Sequence, residues 1–176
     1  MSWLLILVVL VVLVVVALAA AAKSKTAASG AVSFPYEPAK FLFSAAERSF
    51  LGVLDQAVGP EHRVLGKVRL ADLAKVKGGL SKSARQGALN RVAAKHLDFV
   101  VCRATDLSVV CAFELNDRSH ASQRAQARDE LVAQVCQTIG LPLVTVPAKQ
   151  AYSVQEVREQ FLAAVSRAPV VAQVGT

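Results

Sequence analysis

Two apolar runs, HLDFVVC at 96–102 and SVVCAFELN at 108–116, are separated only by the short turn segment RATDL. Their length, β-branched content and turn residues predict the two arms of one hairpin. If the pairing is symmetric about Asp106, Asp98 lies directly opposite Glu114. Side chains so placed have Cβ atoms about 5 Å apart, and like charges at that distance oppose folding unless a cation compensates them. Two compensators are open at this point: a divalent metal, or solvent together with a nearby Lys or Arg. Mg²⁺ is commonly held by one or two carboxylates, with water and substrate phosphate completing its shell, so the metal reading points to phosphodiester chemistry.

Ahead of this hairpin, residues 3–22 read WLLILVVLVVLVVVALAAAA, with no charge, Gly or Pro. A helix of about 20 residues is roughly 30 Å long, the thickness of bilayer hydrocarbon, so the run predicts a membrane-spanning anchor. Lys23 and Lys25 mark its following end as the positive side, which predicts an inner-membrane, single-pass protein with its C-terminal domain cytoplasmic. The alternative is a cleaved signal peptide ending near Ala17–Ala19 and an exported body, although residues 1 and 2 offer no positive charge. The net charge of +7 falls entirely on the remainder, because residues 1–22 carry none. A basic body suits an anionic partner, either nucleic acid or the anionic inner leaflet. Three cysteines without CxxC spacing argue against a disulfide framework or zinc cluster and suit a reducing compartment.

Residues 23–40, small, polar and punctuated by Pro, predict a flexible tether without packed elements. A first helix follows Phe43 and ends at Gly59-Pro60. HRVLGKVRL at 62–70 predicts a strand with Val64, Val68 and Leu70 on one face and Arg63, Lys67 and Arg69 on the other. Residues 84–95 suit a helix. Residues 123–139 predict another, with Leu131, Val132, Val135, Cys136 and Ile139 buried and Gly140 as its stop. A strand at 141–146 and a last helix capped by Ser153 and Glu156 complete the body, with 166–176 a loose tail. The expected architecture is a three-layer α/β domain at 41–165 around a mixed sheet.

The order αβββαβ, with an Asp on the second strand, a Glu on the third and a basic helix after it, resembles the PD-(D/E)xK, or restriction-endonuclease-like, superfamily. More narrowly, HLDFVVC, FELNDRSH and QARDELV look like the bacterial domain of unknown function twenty-seven twenty-six, over about Phe41 to Ala164. The resemblance implies a metal-dependent phosphodiesterase site in which Asp98 and Glu114 are ligands to Mg²⁺ or Mn²⁺. It also exposes a departure. Where the superfamily carries a lysine two residues after the Glu, this chain has Asn116, and the narrower family usually has Asp there. Asn supplies no charge and takes no proton.

The remaining candidates follow from position. Lys95, Arg124 and Arg128 are the cations that could stand in for the missing lysine or meet a phosphate; the two arginines are four apart on one helix face. His120, just past the strand end, is a candidate ligand or base, with Asp117 able to orient it. His96 shares the face of Asp98. Glu47 is either the superfamily's occasional first-helix acid or one half of a capping box with Ser44. Basic segments at 63–69 and 75–82 suit phosphate contacts rather than base reading. The expected function is a membrane-anchored nuclease-like domain; the alternative is an inactive scaffold of the same fold that binds nucleic acid or anionic lipid.

Overall fold

The computed structural model describes residues 2–26, 34–116 and 123–167. The chain divides into two compact units, Met1–Lys40 and Phe41–Thr176. The first contains helix α1, Ser2–Thr26, which runs past the expected end of the apolar segment and into the stretch read as a tether. Lys23 to Thr26 continue it because nothing in AAKSKT breaks a helix that is already propagating. The described side chains of α1 are Trp3 and residues 6–18, all exposed. Among the described residues no helix is long and apolar enough to cross a membrane. Within the predicted span 3–22, the side chains at 4, 5 and 19–22 lie outside those described.

In the second unit, helix α2 (Ala45–Val58) is followed by strand β1 (His62–Arg69), a single helical turn α3 (Leu70–Leu73) and helix α4 (Lys82–Ala93). Strands β2 (His96–Arg103) and β3 (Val109–Asn116), helix α5 (Gln123–Thr138), strand β4 (Leu143–Pro147) and helix α6 (Val154–Arg167) complete it. The sheet order is β1-β2-β3-β4, antiparallel at the first two junctions and parallel at the last. This is the mixed, helix-flanked sheet that the sequence predicts.

Two apolar clusters, one on each sheet face, make the three layers. Phe99, Val101, Cys111 and Phe113 point to one side, where they meet Phe50 and Leu54 of α2 and Val157 and Phe161 of α6. Leu97, Val100, Cys102 and Ala112 point to the other, against Leu70, Val92 of α4, and Val132 and Cys136 of α5. The alternation of β2 and β3 thus feeds both cores at once, which is why these strands read as continuous apolar runs. Phe50 anchors the first core, its ring centroid 5.6 Å from Phe99, 5.8 Å from Phe113 and 4.9 Å from Tyr152. Arg158 of α6 donates to the carbonyls of Gln56 and Ala57, satisfying the last turn of α2 where Gly59 at φ 75° ends it.

Three sequence expectations need correction. Ile139 is exposed and follows the end of α5, because the helix stops at Thr138 and Gly140 turns at φ 69°. The hairpin register is symmetric about Asp106 for Phe99–Phe113, Val100–Ala112 and Val101–Cys111, but slips between Val101 and Cys102 so that Cys102 meets Val109. Strand β1 does not keep one face. Val64 packs into the first core while Val68, which regular alternation would place beside it, packs into the second. The change of face falls at Lys67, whose φ of 55° is left-handed.

Candidate functional site

Lys67 and Asp98 mark the same break in two adjacent strands. In β2, Leu97 and Phe99 feed opposite cores although they are two residues apart, so Asp98 sits where that strand also changes face. The β1–β2 register, with Gly66 opposite Phe99 and Val68 opposite Leu97, leaves Lys67 across from Asp98. On the other side, the pairing of β2 with β3 reaches Phe99–Phe113, the positions next to Asp98 and Glu114. Three neighbouring strands therefore present Lys67, Asp98 and Glu114 in one row at one end of the sheet.

The contacts follow this row. Lys67 Nζ donates to Asp98 Oδ1 at 2.9 Å and also to Glu47 Oε1. The second oxygen of Asp98 accepts from the Leu115 backbone N–H at 3.0 Å. The Asp98 and Glu114 carboxyls are near enough to shift each other as a hydrogen-bonded pair would. Two carboxyls can make such a bond only if one of them holds a proton. Burial, followed by the hydrogen bond and charge of Asp98, pushes Glu114 up to about 9, against the pull of Arg128. Burial also works to raise Asp98, but the hydrogen bonds from Glu114, Lys67 and Leu115 outweigh it and hold its carboxyl below the ordinary aspartate value. The opposed shifts favour the proton on Glu114 and the charge on Asp98. The like-charge conflict in the sequence is resolved by one proton and one ammonium group.

Glu47 closes the capping box read for it and also meets Lys67. Its Oε2 accepts from the Ser44 N–H at 2.7 Å and its own N–H donates to Ser44 Oγ at 3.3 Å, closing the capping box of α2. Its Oε1 is left for Lys67, so the cap needs no opening for the carboxylate to join the site. Phe43 covers this corner: its ring stacks on Phe99 at 5.6 Å, and Lys67 Nζ lies 5.9 Å from its centroid. Lysine desolvation alone would lower the Lys67 pKa, but the bonds to Glu47 and Asp98 raise it, so the amine stays protonated.

A cavity of about 590 Å³ opens over the row, lined by Glu47, Lys67, Lys95, Asp98, Glu114 and Arg128 among others. His96 also lines it, as its predicted face requires. A second cavity of about 340 Å³ lies between β3, β4 and α5, where Asn116 and Thr145 add polar groups to Val132, Ala133 and Leu143. Glu114 and Arg128 line both. Arg128 is held by its neighbour, its Nε and Nη2 each 2.9 Å from Asp129 Oδ1. Asn116 lies at the end of β3 opposite Pro147, and its carbonyl accepts from Ala148. The Arg124 backbone belongs to α5, while its side chain lies outside the described residues, as do His120 and Asp117.

The donor set fits a two-carboxylate Mg²⁺ or Mn²⁺ site, in which Asp98 and Glu114 would be the protein ligands and water and phosphate the rest. No third His, Cys, Asp or Glu joins them to form a metal cluster among the described residues. Cys102, Cys111 and Cys136 are free and buried, and burial pushes Cys111 up to about 12 and Cys136 up to about 11, far from the thiolate a nucleophile requires.

Residues 39–165 match the family model described as Protein of unknown function (DUF2726). The chain belongs to this family. Within the DUF2726 domain, the row of Lys67, Asp98 and Glu114 and the capping acid Glu47 all fall inside the matched span. Comparison with curated proteins and with solved structures returned no match.

Lys67 is the residue whose place sequence reading missed. It was visible only as one member of a basic stripe, and β1 and β2 are separated by a helical insert that hides their register. The one local signal is Gly66 directly before it, in a strand otherwise of regular alternation.

Proposed function

We propose that this DUF2726 domain is a nuclease-like phosphodiester site of the restriction-endonuclease-like kind, carried at a membrane by α1. The observation that supports it is the facing pair Asp98 and Glu114, kept together by a proton and set in a cavity with Lys67, Lys95 and Arg128 around it. A purely structural rung would be simpler to build from neutral side chains, since burying two carboxyls together costs stability. A divalent cation, Mg²⁺ or Mn²⁺, bound to these two carboxyls would polarise a phosphate and acidify a bound water.

The chain's own residues have separable tasks. To hold a cation Glu114 would have to release its proton to solvent, and Asp98, the more acidic of the two, would offer the first negative oxygen. Leu115 fixes the direction of Asp98 through its backbone N–H. Lys95 and Arg128 place positive charge at the cavity wall, where an anionic backbone would approach. The membrane part rests on the charge-free run at 3–22 and on the exposed leucines and valines along α1, an apolar surface that water covers unfavourably.

One observation favours an alternative. Asn116 stands where a catalytic lysine is expected, and Asp98 already has both oxygens engaged, which suits a module that binds nucleic acid or anionic lipid without cutting. The deciding measurement is cleavage of a mixed DNA and RNA panel by the full-length chain in neutral detergent with Mn²⁺. Cleavage that disappears in Glu114→Gln supports the nuclease reading. No cleavage, or cleavage that survives the change, sinks it. Titration calorimetry with Mg²⁺ tests the metal directly, because the heat should vanish in Asp98→Ala.

A further inference from the structure

Asp98 and Glu114 account for the acids of the site and leave open which group meets the anion. Three described cations line the cavity, and they differ in how they are held. Arg128 is tied to Asp129, and its side chain is 60% exposed. Lys95 lies in the segment between α4 and β2. Lys67 alone is fixed from two directions, by Glu47 on α2 and by Asp98 on β2. Its left-handed backbone places it there, and a lysine adopts that conformation only where its surroundings stabilise it.

The exposures give this arrangement a direction. The Glu47 and Asp98 side chains are 16% and 15% exposed, whereas that of Lys67 is 31% exposed. The acids are the more buried members of the group and Lys67 is the more exposed. Lysine has three N–H donors, of which two are used by Glu47 and Asp98. The third meets no protein acceptor among the described residues.

We infer that Lys67, held by Glu47 and facing the cavity it shares with Lys95 and Arg128, is the ammonium that takes a non-bridging phosphate oxygen of the ligand. It thereby supplies from β1 the cation that β3 lacks at Asn116. The inference deepens the proposed site and rests on that site receiving a phosphodiester. Glu47 is a positioning residue in it: by accepting one Nζ–H bond from outside the strand pair, it holds the amine in place. A charge-assisted N–H···O–P contact at this point would also orient the phosphate beside the carboxyl pair.

The test uses full-length protein in neutral detergent with a single-stranded DNA 12-mer and EDTA, so that binding is read without metal and without cleavage. Lys67→Gln should weaken binding about tenfold and lower the slope of log affinity against log salt by roughly one contact. Arg167→Gln, an equal change of charge in the last turn of α6, should weaken it about twofold or less. Because Lys67→Gln could disturb folding, ¹⁵N NMR of the lysine amines in the unmodified chain provides a second reading. The Lys67 ammonium resonance should shift on adding the oligonucleotide, and in Glu47→Gln it should broaden.

An unmoved Lys67 resonance, or equal weakening by Lys67→Gln and Arg167→Gln, overturns the inference. So does a wild-type chain that binds no oligonucleotide. Lys67-dependent binding without metal-dependent cleavage would leave the inference standing while removing the nuclease reading. Cleavage that is indifferent to Lys67 would do the opposite.

Discussion

At the scale of single residues, the proton on Glu114 makes stability depend on pH in a defined direction. Glu114 keeps that proton far above the range in which an unfolded chain's glutamate loses it. Between the ordinary glutamate range and about 9, the folded state therefore binds more protons than the unfolded state, and stability falls as pH rises. Asp98 acts at the other end: its lowered pKa gives stability above the ordinary aspartate value that is lost as pH falls through the folded value. Thermal stability should accordingly be highest in mildly acidic solution and decline toward alkaline pH. Glu114→Gln retains a donor for Asp98 but cannot ionise, so its alkaline decline should flatten, with a gain on the order of 2 kcal/mol, or a few degrees in Tm, near pH 8.5. An unchanged slope in that variant would mean that the proton sits elsewhere. Lys67→Ala strips the cation from Glu47 and Asp98 and should cost about 1–2 kcal/mol in urea unfolding, the low end for such a loss because its amine is partly exposed. The facing acids were legible because alternation fixes who opposes whom within a hairpin. Their neutralisation was not, because neither a shared proton nor a cation on a non-adjacent segment leaves a mark in local spacing.

At the scale of elements, what aims the site is the corner where β1 changes face. Gly66 is required there by close approach: a Cβ at this position would overlap the Phe43 ring, which itself stacks on Phe99. Gly66→Ala should displace Phe43, cost roughly 1–2 kcal/mol in thermal or urea unfolding, and loosen the strand end that carries Lys67. A variant as stable as the parent, with an unshifted Phe43 ring signal, would show that the corner tolerates bulk. Sequence reading placed β1 and its ends well but gave it a single basic face, because alternation is a rule for regular strands and a left-handed lysine is not announced by its neighbours. For the same reason the β2–β3 register was legible only from Phe99 to Val101; the slip at Cys102 depends on turn geometry around Leu107, whose φ is 57°. In α5 the apolar spacing identified Val132 and Cys136 as buried, and it failed at Ile139 because the stripe outlasts the helix.

At the scale of the whole chain, charge and hydropathy are segregated: a charge-free stretch at 3–22 precedes a body that carries the full net charge of +7. Under the proposed reading this segregation is what determines location. The body then works next to an anionic leaflet, where polybasic segments gain on the order of 1 kcal/mol for each Lys or Arg near the surface. Lys23 and Lys25, directly after the apolar run, favour retention of that end on the cytoplasmic side. Alkaline phosphatase fused after Thr176 should therefore stay inactive, while a fluorescent protein fused at the same point should mature, and the chain should resist carbonate extraction from membranes. High phosphatase activity with a shortened, freely soluble product would instead identify residues 1–22 as a cleaved export signal, and would remove cytoplasmic nucleic acid from the accessible partners. The same fusion pair made with Lys23→Glu and Lys25→Glu separates charge from hydropathy as the determinant. If the two lysines set the orientation, phosphatase activity should rise several-fold in that variant, whereas an orientation fixed by translocation of the folded body would not respond to them.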